Sequence, residues 1–180
     1  EAETQLVFDP TIGDIMQGSG TGTLRFDYRT NSPFSMVGTF TVEQGKYESQ
    51  FKRLLASKEF SIDKGGIISW DGDHMGAQID VRAVYRARPP LSSLLRDQSA
   101  TGNVDVDCIL RVTNTLSDPV LSFDLAMPNA RQEVRAYLSG LTSTEEEIMR
   151  QFTYLLAFNS FYSDAGSGSQ GQLGGMADMD

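Results

Sequence analysis

Few residues of this chain have the types and spacing that do chemistry. His74 is the only histidine among 180 residues, so a Ser-His-Asp or Cys-His arrangement would have to use it. It stands in Asp71-Gly72-Asp73-His74, a stretch of turn composition, and Cys108 is remote from it in sequence and pattern. His74 therefore reads as an exposed turn residue. Asp71 and Asp73 resemble the start of a calcium loop, but the loop's spacing and its closing Glu are missing. Cys108 falls on the apolar side of an alternating segment with no activating neighbour, the place of a small buried hydrophobe rather than a nucleophile. Asp105 and Asp107 fall on the polar side of that segment, where carboxylates solubilise a strand; a glycosidase-like pair is a matter of geometry that spacing does not fix. Gly18-Ser19-Gly20-Thr21-Gly22 would need a helix N-terminus behind it to cradle a phosphate. An alternating segment, Leu24-Arg25-Phe26-Asp27-Tyr28, follows instead, so the glycines read as a flexible connection or bulge. No catalytic set, metal set or cofactor motif emerges, and the chain reads as non-enzymatic.

Composition narrows the partners. The formal net charge is −9, and a phosphate-backbone binder needs a basic stripe. The densest basic runs are Lys52-Arg53 and Arg86-Ala87-Arg88, so nucleic acid is excluded and an anionic membrane surface repels the chain. A single Cys forbids an internal disulfide. No apolar run has the length of a transmembrane helix. The first residues, Glu1-Ala2-Glu3-Thr4, carry neither an initiator Met nor a signal peptide. The chain is accordingly read as an excised piece of a longer protein, with any membrane anchor outside it.

The elements that must position these residues are strands. The organising stretch runs from Gly65 to Tyr85. Its first part is a short strand ending at Trp70, then a tight turn at Asp71-Gly72. In the longer strand behind it, Ala77, Ile79, Val81, Ala83 and Tyr85 point one way while Gln78, Asp80 and Arg82 point the other. Before it come Gln5 to Phe8, a turn at Asp9-Pro10-Thr11-Ile12-Gly13-Asp14, the Leu24–Tyr28 strand, a turn at Asn31-Ser32-Pro33, and a strand over Phe34–Val42. Gly45 is expected to turn the chain into a further strand over Lys46–Phe51, and Phe60 and Ile62 form another. After Pro89-Pro90, Leu91–Gly102 is a connector with one helical turn at Leu91–Arg96. Val104–Val112 alternates again, and Leu121, Phe123, Leu125 and Met127 are the apolar face of the last strand. The pattern then turns helical: a short helix over Arg131–Leu138, then a helix capped by Ser143 with Glu146 and carrying Ile148, Phe152, Leu155, Leu156 and Phe161. The expectation is about eight antiparallel strands and then one or two helices. That makes one domain over 1–162, with a C-terminal helix at about 143–161 and a disordered Gly/Ser-rich acidic tail over 163–180. Patterning alone leaves the apolar faces, with Phe26, Phe40, Trp70, Tyr85 and Phe123, free to be a sandwich core.

Several of these segments resemble the C-terminal domain of TamB-type translocation and assembly proteins, in the version found in the Bacteroides group. They are Asp9-Pro10-Thr11-Ile12-Gly13-Asp14 with Gly18-x-Gly20-x-Gly22; Gly38 with Gly45-x-Tyr47; and Gly65-Gly66-x-Ile68-x-Trp70-x-Gly72-Asp73 with Ala77-x-Ile79-Asp80-Val81-x-Ala83-x-Tyr85. Pro119-x-Leu121-x-Phe123-Asp124-Leu125-x-Met127-Pro128 and the Gln151–Phe161 helix complete the likeness, in matching order.

The resemblance implies a curled antiparallel sheet whose concave face is an apolar groove, a β-taco rather than a closed sandwich. It implies a periplasmic domain of an inner-membrane-anchored protein of a Gram-negative bacterium. The partner would be an Omp85-family outer-membrane protein of the TamA kind. The groove, lined by Leu24, Phe26, Met36, Phe40, Ile79, Val81, Leu110 and Phe123, would carry phospholipid toward the outer membrane. Arg25, Asp80, Arg82, Asp105 and Asp107 would keep the other face soluble. One alternative is an assembly chaperone or scaffold that holds outer-membrane protein strands by β-augmentation. A sugar-binding β domain is the weaker alternative and would need aromatic side chains on the wet face.

Overall fold

Alternating segments become strands, and the eight strands among the described residues form one sheet. The computed structural model describes residues 2–8, 14–49 and 58–164, with side chains over 16–48 and 58–164. The strands are β1 (Ala2–Phe8), β2 (Asp14–Asp27), β3 (Ser35–Ser49), β4 (Lys58–Ile62), β5 (Ile67–Asp73), β6 (Gln78–Ala87), β7 (Val106–Asn114) and β8 (Pro119–Ala126). Among the described residues three helices accompany them: α1 (Leu91–Leu95), α2 (Gln132–Leu141) and α3 (Glu145–Phe158). The sheet order is β1-β2-β3-β4-β6-β7-β8, with β5 pairing both β3 and β6. The mainly β architecture with two helices at its C-terminal side is the one expected. The chain divides into two compact units, one built on Glu1–Tyr85 and Cys108–Asp124, the other on Arg86–Asp107 and Leu125–Asp180.

In the first unit the sheet departs from the sequence reading where glycines occur. Gly45 does not turn the chain. It lies inside β3, opposite Gly18 on β2 and Ile62 on β4. Ser19 pairs with Gln44 and Gly20 with Val42, so Glu43 is an extra residue that bulges β3. One extra residue reverses the phase of alternation. That is why Val42 and Tyr47, five apart, are both buried, and why Gln44-Gly45-Lys46 imitates a turn. Gly18 to Gly22 likewise lie within the continuous strand β2 rather than before a strand. Next to this bulge, β4 and β5 occupy a single slot between β3 and β6, separated by 63–66. The Gly65 amide donates to the Val42 carbonyl at 2.8 Å and the Val42 amide to the Gly66 carbonyl at 2.7 Å, so pairing persists through the break. Irregularities side by side on neighbouring strands are where a sheet bends.

Asp71-Gly72 is not the turn after Trp70 either. β5 continues to Asp73, and Gly72 takes a φ of 113° inside the strand, which glycine tolerates. The turn is Asp73–Gly76. The Asp73 carbonyl accepts the Gly76 amide at 3.2 Å and its carboxylate accepts the Met75 amide at 3.0 Å, an Asx-type closure. Beyond it Ala77 and, on β6, Ile79, Val81 and Ala83 are buried and Tyr85 half-buried, while Gln78, Asp80 and Arg82 are exposed, the alternation expected. The Asp9–Gly13 part of the expected first turn, Phe51 and the tail from 165 lie outside the described residues.

The second unit is pinned by polar groups in an apolar setting. The α3 cap is Thr144 with Glu147, one residue later than Ser143 with Glu146. The Thr144 hydroxyl accepts the Glu147 amide, and the Glu147 carboxylate accepts the Thr144 and Ser143 amides at 3.2 and 2.9 Å. Ser143 has a role of its own, donating its hydroxyl to Glu147 at 2.6 Å. Phe152, Leu155, Leu156 and Phe161 are buried as the stripe predicts, and Ile148 is half-buried. Buried Gln151 closes a ring with the Tyr162 backbone, donating to its carbonyl at 3.1 Å and accepting its amide at 2.8 Å. A buried amide with both ends satisfied costs little and fixes the segment leaving the helix.

Candidate functional site: the apolar face of the first unit

Strand register places the candidate residues in rows. Nearest the β2–β3 turn, Phe26 faces Met36, which faces Gly72. The next row inward is Leu24, Gly38 and Trp70. The third is Gly22, Phe40, Ile68 and Ile79. All lie on one face, because residues two apart on a strand share a side. Exposure falls steeply along it. Phe26 is 58% exposed, Leu24 and Met36 are half-buried, and Phe40, Ile68 and Trp70 are buried. Of the eight residues assigned to the groove, the fold itself buries Phe40, Ile79, Val81 and Leu110. Leu24, Met36 and Phe123 are half-covered and Phe26 is open.

Each of the three rows contains one glycine, and the strands need it there. A Cβ on Gly22 would stand 2.2 Å from the Thr39 carbonyl oxygen, and one on Gly38 2.1 Å from that of Thr23. Gly38 also has a φ of 141°. On the next position of β2, a Cβ on Gly20 would stand 2.8 Å from the Phe40 ring, so the ring covers that bare backbone. Large side chains thus sit beside bare backbone. The indole of Trp70 donates to the His74 carbonyl at 3.1 Å, which fixes the ring near the turn end of the face.

The opposite face is polar. Its rows read Arg25–Val37–Asp71, Thr23–Thr39–Ser69–Gln78 and Thr21–Thr41–Ile67–Asp80, with no aromatic residue among them. Asp80 accepts both Nη2 and Nε of Arg111 at 3.1 and 3.2 Å, and Arg82 pairs with Asp63. In the second unit Arg86 binds Asp107 at 2.8 Å and Arg88 binds Asp105 at 2.9 Å. The hydrogen bond to Asp107, with its charge, pushes the Arg86 guanidinium above its ordinary value. The carboxylate pair Asp105/Asp107 is therefore engaged by arginines.

The other chemical candidates are not brought together. His74 is exposed in its turn, with Nδ1 3.7 Å from the Asp73 carboxylate and its ring edge-on to Phe34. Cys108 is buried. Among the described residues, no group of three His, Cys, Asp or Glu side chains is arranged to hold a metal ion, and no helix is long and apolar enough to cross a membrane. The residues that sequence reasoning missed are Tyr28, Phe34 and Met75, exposed aromatic and thioether side chains at the turns that end the apolar face. The available signal was their position: large apolar residues beside turn residues, with no strand to bury them.

A model of the family described as TamB C-terminal domain matches residues 1–179. No curated protein matches, and no solved structure matches.

Proposed function

The chain belongs to the TamB C-terminal domain family, a family of non-enzymatic components of the translocation and assembly module of outer-membrane biogenesis, and on that premise we propose that its apolar face carries phospholipid acyl chains toward the outer membrane. The observation that carries this reading is the gradient along the face, from open Phe26 through half-covered Leu24 and Met36 to buried Phe40. An acyl chain of about 16 carbons in water costs about 13 kcal/mol at ~0.8 kcal/mol per CH₂. A face that offers apolar contact from its solvent end inward offsets much of that cost without tight binding. Leu24, Phe26, Met36 and Phe123 are the contact residues in this reading. Phe40, Ile79, Val81 and Leu110 are the packed layer that holds them. The polar face, with its cross-strand ion pairs, keeps the scaffold in water. The working context is the periplasm of a Gram-negative bacterium, with the anchor in the inner membrane and an Omp85-family partner of the TamA kind in the outer one.

Copurifying lipid tests the proposal. Protein prepared without detergent and extracted into organic solvent is expected to yield phospholipid, and Met36→Asp is expected to yield little. Phospholipid at background level in the unaltered protein contradicts the conduit. Outer-membrane protein copurifying in its place moves the reading to an assembly scaffold.

A further inference from the structure

The apolar face reaches solvent at an end built from three turns. They are 28–34 between β2 and β3, 74–77 between β5 and β6, and 115–118 between β7 and β8. Pairing of Ser35 with Asp73 sets the first beside the second. The Ser117 amide donates to the Met75 carbonyl at 3.1 Å and the Leu116 amide to that of Ala77 at 3.0 Å, tying the second to the third. Tyr28 is 80% exposed and Met75 50%. Phe34 is exposed too, stacked on Phe26 at 6.0 Å. Val120 and Leu121 open β8 in the same state. Exposed side chains of this size gathered on neighbouring turns mark an interaction surface.

The one arginine in these turns, Arg29, binds Asp27 at 3.3 Å. Such a lip presents no free basic patch to an anionic partner. The chain's net charge of −9 opposes an anionic lipid surface. A zwitterionic surface fits both facts, and Phe, Tyr and Met tips beside paired charges suit its headgroup–acyl boundary.

We propose that this turn end is a lip that rests in the interface of a zwitterionic phospholipid bilayer. The inference builds on the acyl-chain reading of the face and adds the place where that face meets the membrane. A chain leaving the bilayer touches Phe26 and Met36, then Leu24 and Trp70, then Phe40, without crossing water. Without the lip, the first step of transfer would expose the whole chain.

Flotation with phosphatidylcholine–phosphatidylethanolamine vesicles tests it, using the full chain and the variant Tyr28→Ser/Phe34→Ser/Met75→Ser, which spares the acyl-contact residues. Trp70 is the only tryptophan, so its quenching by a brominated fatty acid without vesicles reports on the apolar face separately. The unaltered chain is expected to float, and the variant to bind about tenfold or more weakly, with its thermal transition intact and Trp70 still quenched. Equal flotation of the two overturns the lip. So does flotation restricted to anionic vesicles, or failure of the unaltered chain to float, which would leave a protein partner for these residues. Lip-dependent flotation with no quenching of Trp70 in either protein sustains the lip and removes the acyl-chain reading of the face.

Discussion

The two ends of the apolar face use the same residue types and meet different fates. On β6, Ile79, Val81 and Ala83 are all buried. On β2, toward its turn, Leu24 is half-covered and Phe26 open. Alternation is equally regular in both. The neighbours differ. Ile79 pairs directly with Ile68 and has Phe40 on the strand beyond, whereas Leu24 pairs directly with Gly38 and the Phe26–Met36 pair has Gly72 on the strand beyond. Period-two patterning decides which way a side chain points, and the size of the cross-strand neighbours contributes to whether it is sealed. One face can therefore be core at one end and binding surface at the other.

The sharpest way to break this contrast is a carboxylate at each end. Val81→Asp places an unpaired charge at a position 2% exposed and is expected to cost about 3–5 kcal/mol in urea unfolding. Phe26→Asp is expected to stay within about 0.5 kcal/mol while lowering copurified lipid. Equal stability losses would make the whole face core.

Glycine substitutions come next. Gly20→Ala sets a Cβ 2.0 Å from the Thr41 carbonyl oxygen and is expected to lose about 2–3 kcal/mol. Gly18→Ala, whose nearest atom stands at 3.2 Å, is expected to lose about 1 kcal/mol or less. A tolerated Gly20→Ala would mean that β2 and β3 do not approach as closely as their rows require.

These glycines also mark the limit of what the sequence discloses. The strands of β6 and β7, the helical turn of α1 and the apolar stripe of α3 were legible because apolar period and burial coincide there. The continuity of β3 through Gly45 was not. A bulge at Glu43 shifts the phase, and a phase shift with a glycine looks like a turn. The apolar face was legible as a set of residues, but its division into sealed and open parts was not, since that depends on which residues stand opposite across strands.

A change outside the first unit serves as the control. Thr144→Ala removes the α3 cap and is expected to cost about 1 kcal/mol with no effect on lipid. The Ser143 hydroxyl, then the Ser143 and Thr144 amides and Arg150, hold the Glu147 carboxyl below the usual carboxylate range. Its folded pKa is thus the lower one. The stability it adds is complete above the unfolded value of about 4.3 and is lost as pH falls through the folded value. Glu147→Gln is expected to flatten the acid limb of the stability–pH profile, and an unchanged limb would remove the cap from that role. The smallest effect belongs to Arg82→Ala on the polar face. Loss of its exposed pair with Asp63 is expected to stay within about 0.5 kcal/mol and leave lipid binding intact.

The most direct test of the central claim uses two adjacent residues of β3, Met36 on the apolar face and Val37 on the polar one. A photo-reactive residue at each position, activated in cells, samples both faces at the same height of the sheet. The account predicts a phospholipid adduct from position 36 and none from position 37. Lipid at both positions, or protein alone at position 36, would contradict it.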